Sequence, residues 1–139
     1  SSLVDSAVAV LESDASYHAR YEQIAQLRDK AVAGAEAGDV FALAAGDIGF
    51  LEPYYTLHVN MLAHAHAVKA AIAVYRIKAT TGRLPPRLPA GLPKDPYSGE
   101  DFKYRVTDEG FFLTCRARAI DWGEENNPRR FFFLVAEQP

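Results

Sequence analysis

Cysteine is nearly absent from this chain. Cys115 is the only one in 139 residues, so no disulfide can close within it and no multi-cysteine zinc site can form. Long apolar runs are missing too. No window approaches the ~20 apolar residues of a membrane span, and no basic stretch followed by an apolar one opens the N-terminus. Neither charge sign dominates. With 15 basic and 18 acidic residues the net charge is −3, leaving no global basic field to hold a nucleic-acid backbone, so nucleic acid is not an expected partner. Also lacking are a G-x-S-x-G elbow, a phosphate-binding loop, a dinucleotide fingerprint and an H-E-x-x-H pair. Ser98 before Gly99 has no partner pattern that would make it a nucleophile. Asp95 and Asp101 could form an acid/base pair, but an Asp before Pro96 is explained by turn formation alone. The chain is therefore expected not to be an enzyme and to carry no catalytic residue.

What is present is enough for a core. Hydrophobic residues make up 49% of the sequence, and a chain of this length buries about two-thirds of its unfolded surface in one domain. Leu3, Ala7, Val10, Tyr17, Tyr21, Ile24, Leu27 and Ala31 recur at helical spacing and predict helix from Leu3 to about Val32. Ser13 and Asp14 interrupt the stripe and could cap a restart, giving two shorter helices. Asp39 can cap a second element from Val40 to about Leu51, weakened by Gly46 and Gly49. A third helix is predicted from Pro53 to about Thr80, since Leu57, Met61, Ala65, Val68, Ile72 and Tyr75 keep helical spacing without a breaker until Gly82. At about 1.5 Å per residue it would be roughly 40 Å long, more than a small sheet can cover, so part of its surface is left for the other helices or a partner.

Residues 82–99 then hold five of the eight prolines, interleaved with Leu84, Leu88 and Leu92. This composition predicts an extended strap pinned by its leucines, not a flexible linker. The segment DPYSGEDFKYR follows. Asp95-Pro96 and Ser98-Gly99 supply turn chemistry, and Phe102, Tyr104 and Val106 alternate with polar residues as in a half-buried strand. Strands are expected at residues 102–107, 110–116 and 130–135, the first two joined by a short hairpin connection. The consecutive aromatics Phe111, Phe112 and Phe131 to Phe133 must point to both sheet faces, so one face packs on the long helix and the other needs cover. The fold class is therefore α+β: N-terminal helices over residues 1–52, then over 53–139 a long helix, a proline-rich strap and a three-stranded antiparallel sheet packed on that helix.

Two groups of residues have side chains that metals favour. His58, His64 and His66 lie near one another in sequence, but on a helix residues 64 and 66 are about 160° apart, so one helix cannot aim all three at one ion. In the loop between the last two strands, Asp121, Glu124, Glu125 and Asn126 supply the hard oxygen ligands that Ca²⁺ prefers. Arg129 and Arg130 could neutralise these carboxylates instead. Cys115, set among Phe111, Phe112 and Leu113, reads as a buried inert thiol, with Arg116 and Arg118 as the only local groups that would activate it.

The run from Gly82, Arg83, Leu84 and Pro85 through Leu88 and Leu92 to Asp95, Pro96, Gly99, Tyr104 and Arg105 resembles the C-terminal module of type II secretion major pseudopilins. It is also similar to domains of large bacterial proteins, planctomycete ones among them. The resemblance spans roughly residues 55–135. It implies a helix, a strap and a small sheet acting as a structural or protein-interaction subunit outside the cytoplasm, with a protein partner or a homo-oligomer. A leader or anchor removed ahead of Ser1 would accord with export. It also implies a calcium site near the end of the sheet, although Cys115, Arg116 and Ala117 stand where the family has Ser-x-Gly, and only Asp121 and Gly123 match. At the front, Gly34 to Pro53 interrupts what in pseudopilins is one continuous helix.

Overall fold

The computed structural model describes residues 2–40, 50–118 and 128–136. Among them are three helices, α1 (Leu3–Glu12), α2 (Tyr17–Glu36) and α3 (Leu51–Thr81), and three strands, β1 (Lys103–Val106), β2 (Gly110–Thr114) and β3 (Arg130–Leu134). The chain divides into two compact units, residues 1–58 and 59–139, with the boundary inside α3.

In the first unit the helical stretch from Leu3 is broken into two shorter helices, the alternative that the interruption at Ser13 and Asp14 allowed. Ser2 accepts from the Asp5 amide while the Asp5 carboxylate accepts from the Ser2 amide, a reciprocal box that satisfies two donors at the start of α1. Ser13 closes α1 instead of opening the next helix, its hydroxyl donating to the Val10 carbonyl at 2.7 Å. The cap of α2 is Ser16, which accepts from the Ala19 amide at 3.3 Å. Ser16 wins because three residues separate it from an available donor, the N-cap relation that Ser13 has already given up to α1. α2 then runs through Gly34 to Glu36, since one glycine costs a helix only about 1 kcal/mol. Ala7 and Leu27 pack with Leu3, Val10 and Leu51, and Tyr17 stacks on Tyr55 at 5.5 Å between ring centroids. Glu52 is buried and receives the Arg28 guanidinium, so its charge is compensated where water is excluded. Residues 41–49, where most of the element expected after Asp39 falls, lie outside the described residues.

α3 begins at Leu51, two residues before Pro53, which is tolerated because amides of a first helical turn have no intrahelical acceptor. In the second unit the strands form an antiparallel sheet in the order β1-β2-β3. Tyr104 stands opposite Leu113, and Phe111 opposite Phe133. Phe111 and Leu113 are fully buried. The sheet meets α3 through Tyr75, whose ring lies edge-on to Phe111 at 5.5 Å and whose hydroxyl donates to the Leu134 carbonyl. His64 makes a second edge-on contact, with Phe131.

The buried face of α3 is not the stripe of large side chains that the sequence singles out. Ala63, Ala67, Ala70, Ala71 and Val74 are buried, while Met61 is 66% and Ile72 45% exposed. Small residues there let neighbouring chain come close to the helix axis, while the sheet side of the second unit buries the bulky Phe111 and Leu113.

Candidate functional site

The segment from Asp95 to Gly99 is a turn built around one carboxylate. Asp95 is fully buried. Its Oδ1 accepts from the Tyr97 amide at 2.9 Å, and its Oδ2 accepts from the Ser98 hydroxyl and the Arg116 amide, both at 2.7 Å. The Gly99 amide donates to the Asp95 carbonyl at 2.8 Å, and Gly99 holds φ at +74°, a conformation in which a side chain would meet the backbone. Asp95 thus closes a local turn and also ties it to the chain leaving β2, 21 residues on. With its acceptor positions filled by these donors it is a structural hub. Asp101 is exposed, and its carbonyl accepts from the Arg116 side chain at 2.6 Å.

The strap is anchored by polar ends as well as by its half-buried leucines. Tyr104 donates its hydroxyl to the Pro85 carbonyl at 2.9 Å, Tyr97 donates to the Asn60 side chain, and His66 Nδ1 donates to the Lys94 carbonyl at 2.6 Å. A carbonyl can only accept, so this bond fixes the proton on His66 Nδ1. Asn60, which shares a helix face with His64, is therefore held by Tyr97. His64 lies against a phenyl ring and His66 against a backbone carbonyl, an arrangement that accounts for both without a metal. No group of three or more His, Cys, Asp or Glu that could hold a metal ion occurs among the described residues. Asp121, Glu124, Glu125 and Asn126 lie outside them.

Cys115 is fully buried beside Asp95. Burial pushes its thiol well above the ordinary value of 9.0, and the neighbouring Asp95 carboxylate adds to the rise, with Arg129 pulling weakly the other way. A thiol held protonated and out of solvent is a poor nucleophile. Native protein is expected to show no reaction of Cys115 with iodoacetamide at neutral pH and complete reaction in denaturant, as read by intact mass. Because the native state keeps this proton longer than the unfolded chain, its contribution to stability is full below pH 9 and declines as pH rises above it.

Two surfaces remain. On the outward sheet face Arg105 and Arg130 both lie over the Phe112 ring, at 5.2 and 5.3 Å, and Phe112 packs on Phe132. These guanidinium groups partly cover the aromatic pair, so the arginines supply some of the cover that this face requires. The outward stripe of α3 has no such cover among the described residues. Met61, Ala65, Val68 and Ile72 are exposed, on the side of the helix opposite Ala63, Ala67, Ala70 and Val74, because residues advance by about 100° each. A helix apolar on two opposite faces is the pattern of one buried on both. The signal was present in the sequence as the stripe itself; only the alanine face reveals that the stripe is spare.

No helix among the described residues is long and apolar enough to cross a membrane. No protein-family model, curated protein or solved structure matches this chain.

Proposed function

We propose that this chain is a non-catalytic, pseudopilin-like structural subunit that assembles with copies of itself outside the cytoplasm. The observation that carries the reading is the outward apolar stripe of α3, Met61, Ala65, Val68 and Ile72, left exposed behind an alanine face that already serves the core. Support for the pseudopilin-like class and the extracytoplasmic location comes from the run between Gly82 and Arg105, with its strap, its Asp-Pro turn and its strand.

Charge supports a second copy as the occupant. Lys69 and Arg76 flank the stripe, are exposed, and have no ion-pair partner among the described residues. Residues 59–139 contain twelve basic and nine acidic residues, a net +3, whereas residues 1–58 contain three basic and nine acidic, a net −6. Within that acidic half, α1 presents Val4 and Val8 exposed one turn apart beside Asp5 and Glu12, and it contains no basic residue. The α1 surface of a second copy therefore matches the α3 stripe in both apolarity and sign, and like charges disfavour stripe-on-stripe pairing. Such a contact joins two different patches, head to tail, and propagates along a row of subunits.

Sedimentation of the whole chain tests this. The wild type is expected to associate with rising concentration, less at high salt. Val8→Asp and Met61→Asp should each be monomeric alone and should form a one-to-one pair when mixed, because each retains the patch the other lacks. A wild type that stays monomeric would refute the reading. So would association lost in Met61→Asp but untouched in Val8→Asp, which is the mark of a symmetric α3 pair.

A further inference from the structure

In the first unit a cavity of about 340 Å³ is lined by Leu11, Arg20, Leu51, Tyr54, Tyr55 and His58. Its walls divide sharply in chemistry. Leu11, Leu51 and the tyrosine rings are apolar, while Arg20 is a permanent cation that has no carboxylate partner among the described residues. The one carboxylate buried nearby in sequence, Glu52, is taken by Arg28. Arg20 is positioned from behind: one terminal nitrogen donates to the Ser13 carbonyl at the end of α1, and the guanidinium lies against the Tyr55 phenol. Its Nε is buried and has no hydrogen-bond partner among the described residues. The buried Nε is closed to a ligand, but a guanidinium with no carboxylate beside it carries an unpaired charge, and the part of it that lines the cavity can pair with a ligand carboxylate.

We infer that this cavity is a binding site for a small monocarboxylic acid with an aromatic or branched apolar tail, its carboxylate on Arg20 and its tail against Leu11, Leu51 and Tyr54. The volume sits at the small end of the range for ligand pockets, about 300–1,000 Å³, which limits the ligand to a single ring or a short chain and excludes nucleotides. Neutral molecules of the same shape fill the apolar part but leave Arg20 as it was, so discrimination rests on the charge. His58, at the rim and exposed, offers a second polar group without closing the cavity. The site lies wholly within the first unit.

The test is an NMR titration of the whole chain with 3-phenylpropionate and, separately, with its neutral counterpart 3-phenylpropan-1-ol. The acid is expected to saturate with a dissociation constant of about 1 mM or below, given its size, moving the amide signals of Leu11, Arg20, Tyr55 and His58. The alcohol is expected to bind at least about tenfold more weakly, the worth of one charge-assisted hydrogen bond. Arg20→Gln should bring the acid down to the level of the alcohol, and Leu11→Trp, which fills the cavity from an exposed position, should weaken both. Equal binding of acid and alcohol overturns the proposal, as does an absence of saturation or a set of shifts elsewhere in the chain. Should Arg20→Gln fail to fold, the comparison of acid with alcohol on the wild type still decides. Subunit association is read separately by sedimentation, so failure of either proposal leaves the other standing.

Discussion

Replacing Asp95 with alanine is expected to destabilise the second unit by about 3–5 kcal/mol, a large part of the stability of a small domain. The reason is the number of donors that converge on one buried carboxylate. The Tyr97 and Arg116 amides and the Ser98 hydroxyl all donate to it, and each buried donor left without an acceptor costs about 1–3 kcal/mol. The hydroxyl can rotate to another acceptor, but the two amides are fixed by the backbone. Asp95→Asn should lose less, because its oxygen can still serve one of the amides while its NH₂ faces the other. Ser98→Ala should lose only about 1 kcal/mol, the net value of one hydrogen bond. Urea unfolding followed by circular dichroism gives this order directly. A loss below about 1 kcal/mol for Asp95→Ala would mean that water or a rearranged turn satisfies these amides, and the hub would have no structural weight.

Gly110→Ala is expected to cost about 3 kcal/mol or more, beyond the usual range for an overpacked site, because the obstruction is backbone. A Cβ built on Gly110 falls 2.0 Å from the Phe133 carbonyl oxygen and 3.1 Å from the Leu134 Cα. Gly110 stands opposite Leu134 where β2 pairs with β3, so the only relief is to push β3 away from β2. That motion breaks the stack of Phe111 on Phe133, now 5.2 Å between centroids. Hydrogen exchange should accordingly show protection lost first along β3, with the β1–β2 pairing better preserved. Uniform protection with wild-type stability would show that the strands part at this point without cost.

These two residues differ in how far the sequence reveals them. Asp95 belongs to a string whose turn chemistry is local: an Asp bonding the amide two residues on, a proline between, a glycine at positive φ. All of that is legible in DPYSG. The bond from Asp95 to the Arg116 amide is not, because it joins residues 21 apart and follows from where β2 happens to end. Gly110 reads in sequence as a hairpin residue and no more. Its close approach to Phe133 depends on the register of a strand some twenty residues later, which turn chemistry does not encode. The same limit applies to the cavity around Arg20, whose lining comes from α1, α2 and α3.

Periodicity and punctuation determined the classes and order of the described elements: helices ahead of a proline-rich strap and three short strands, an α+β fold. Those signals are local, arising from spacing along one segment and from residues that fix or free a dihedral angle. Which side of α3 is buried was decided only by the tertiary structure. Spacing marks Met61, Val68 and Ile72 as a face because they are large, yet the buried face is the alanine one opposite, where small side chains let the rest of the fold pack close to the helix axis. A helix with two apolar faces has one to spare, and what the spare face meets is set by the shape and charge of its neighbour, not by the pattern that produced the helix.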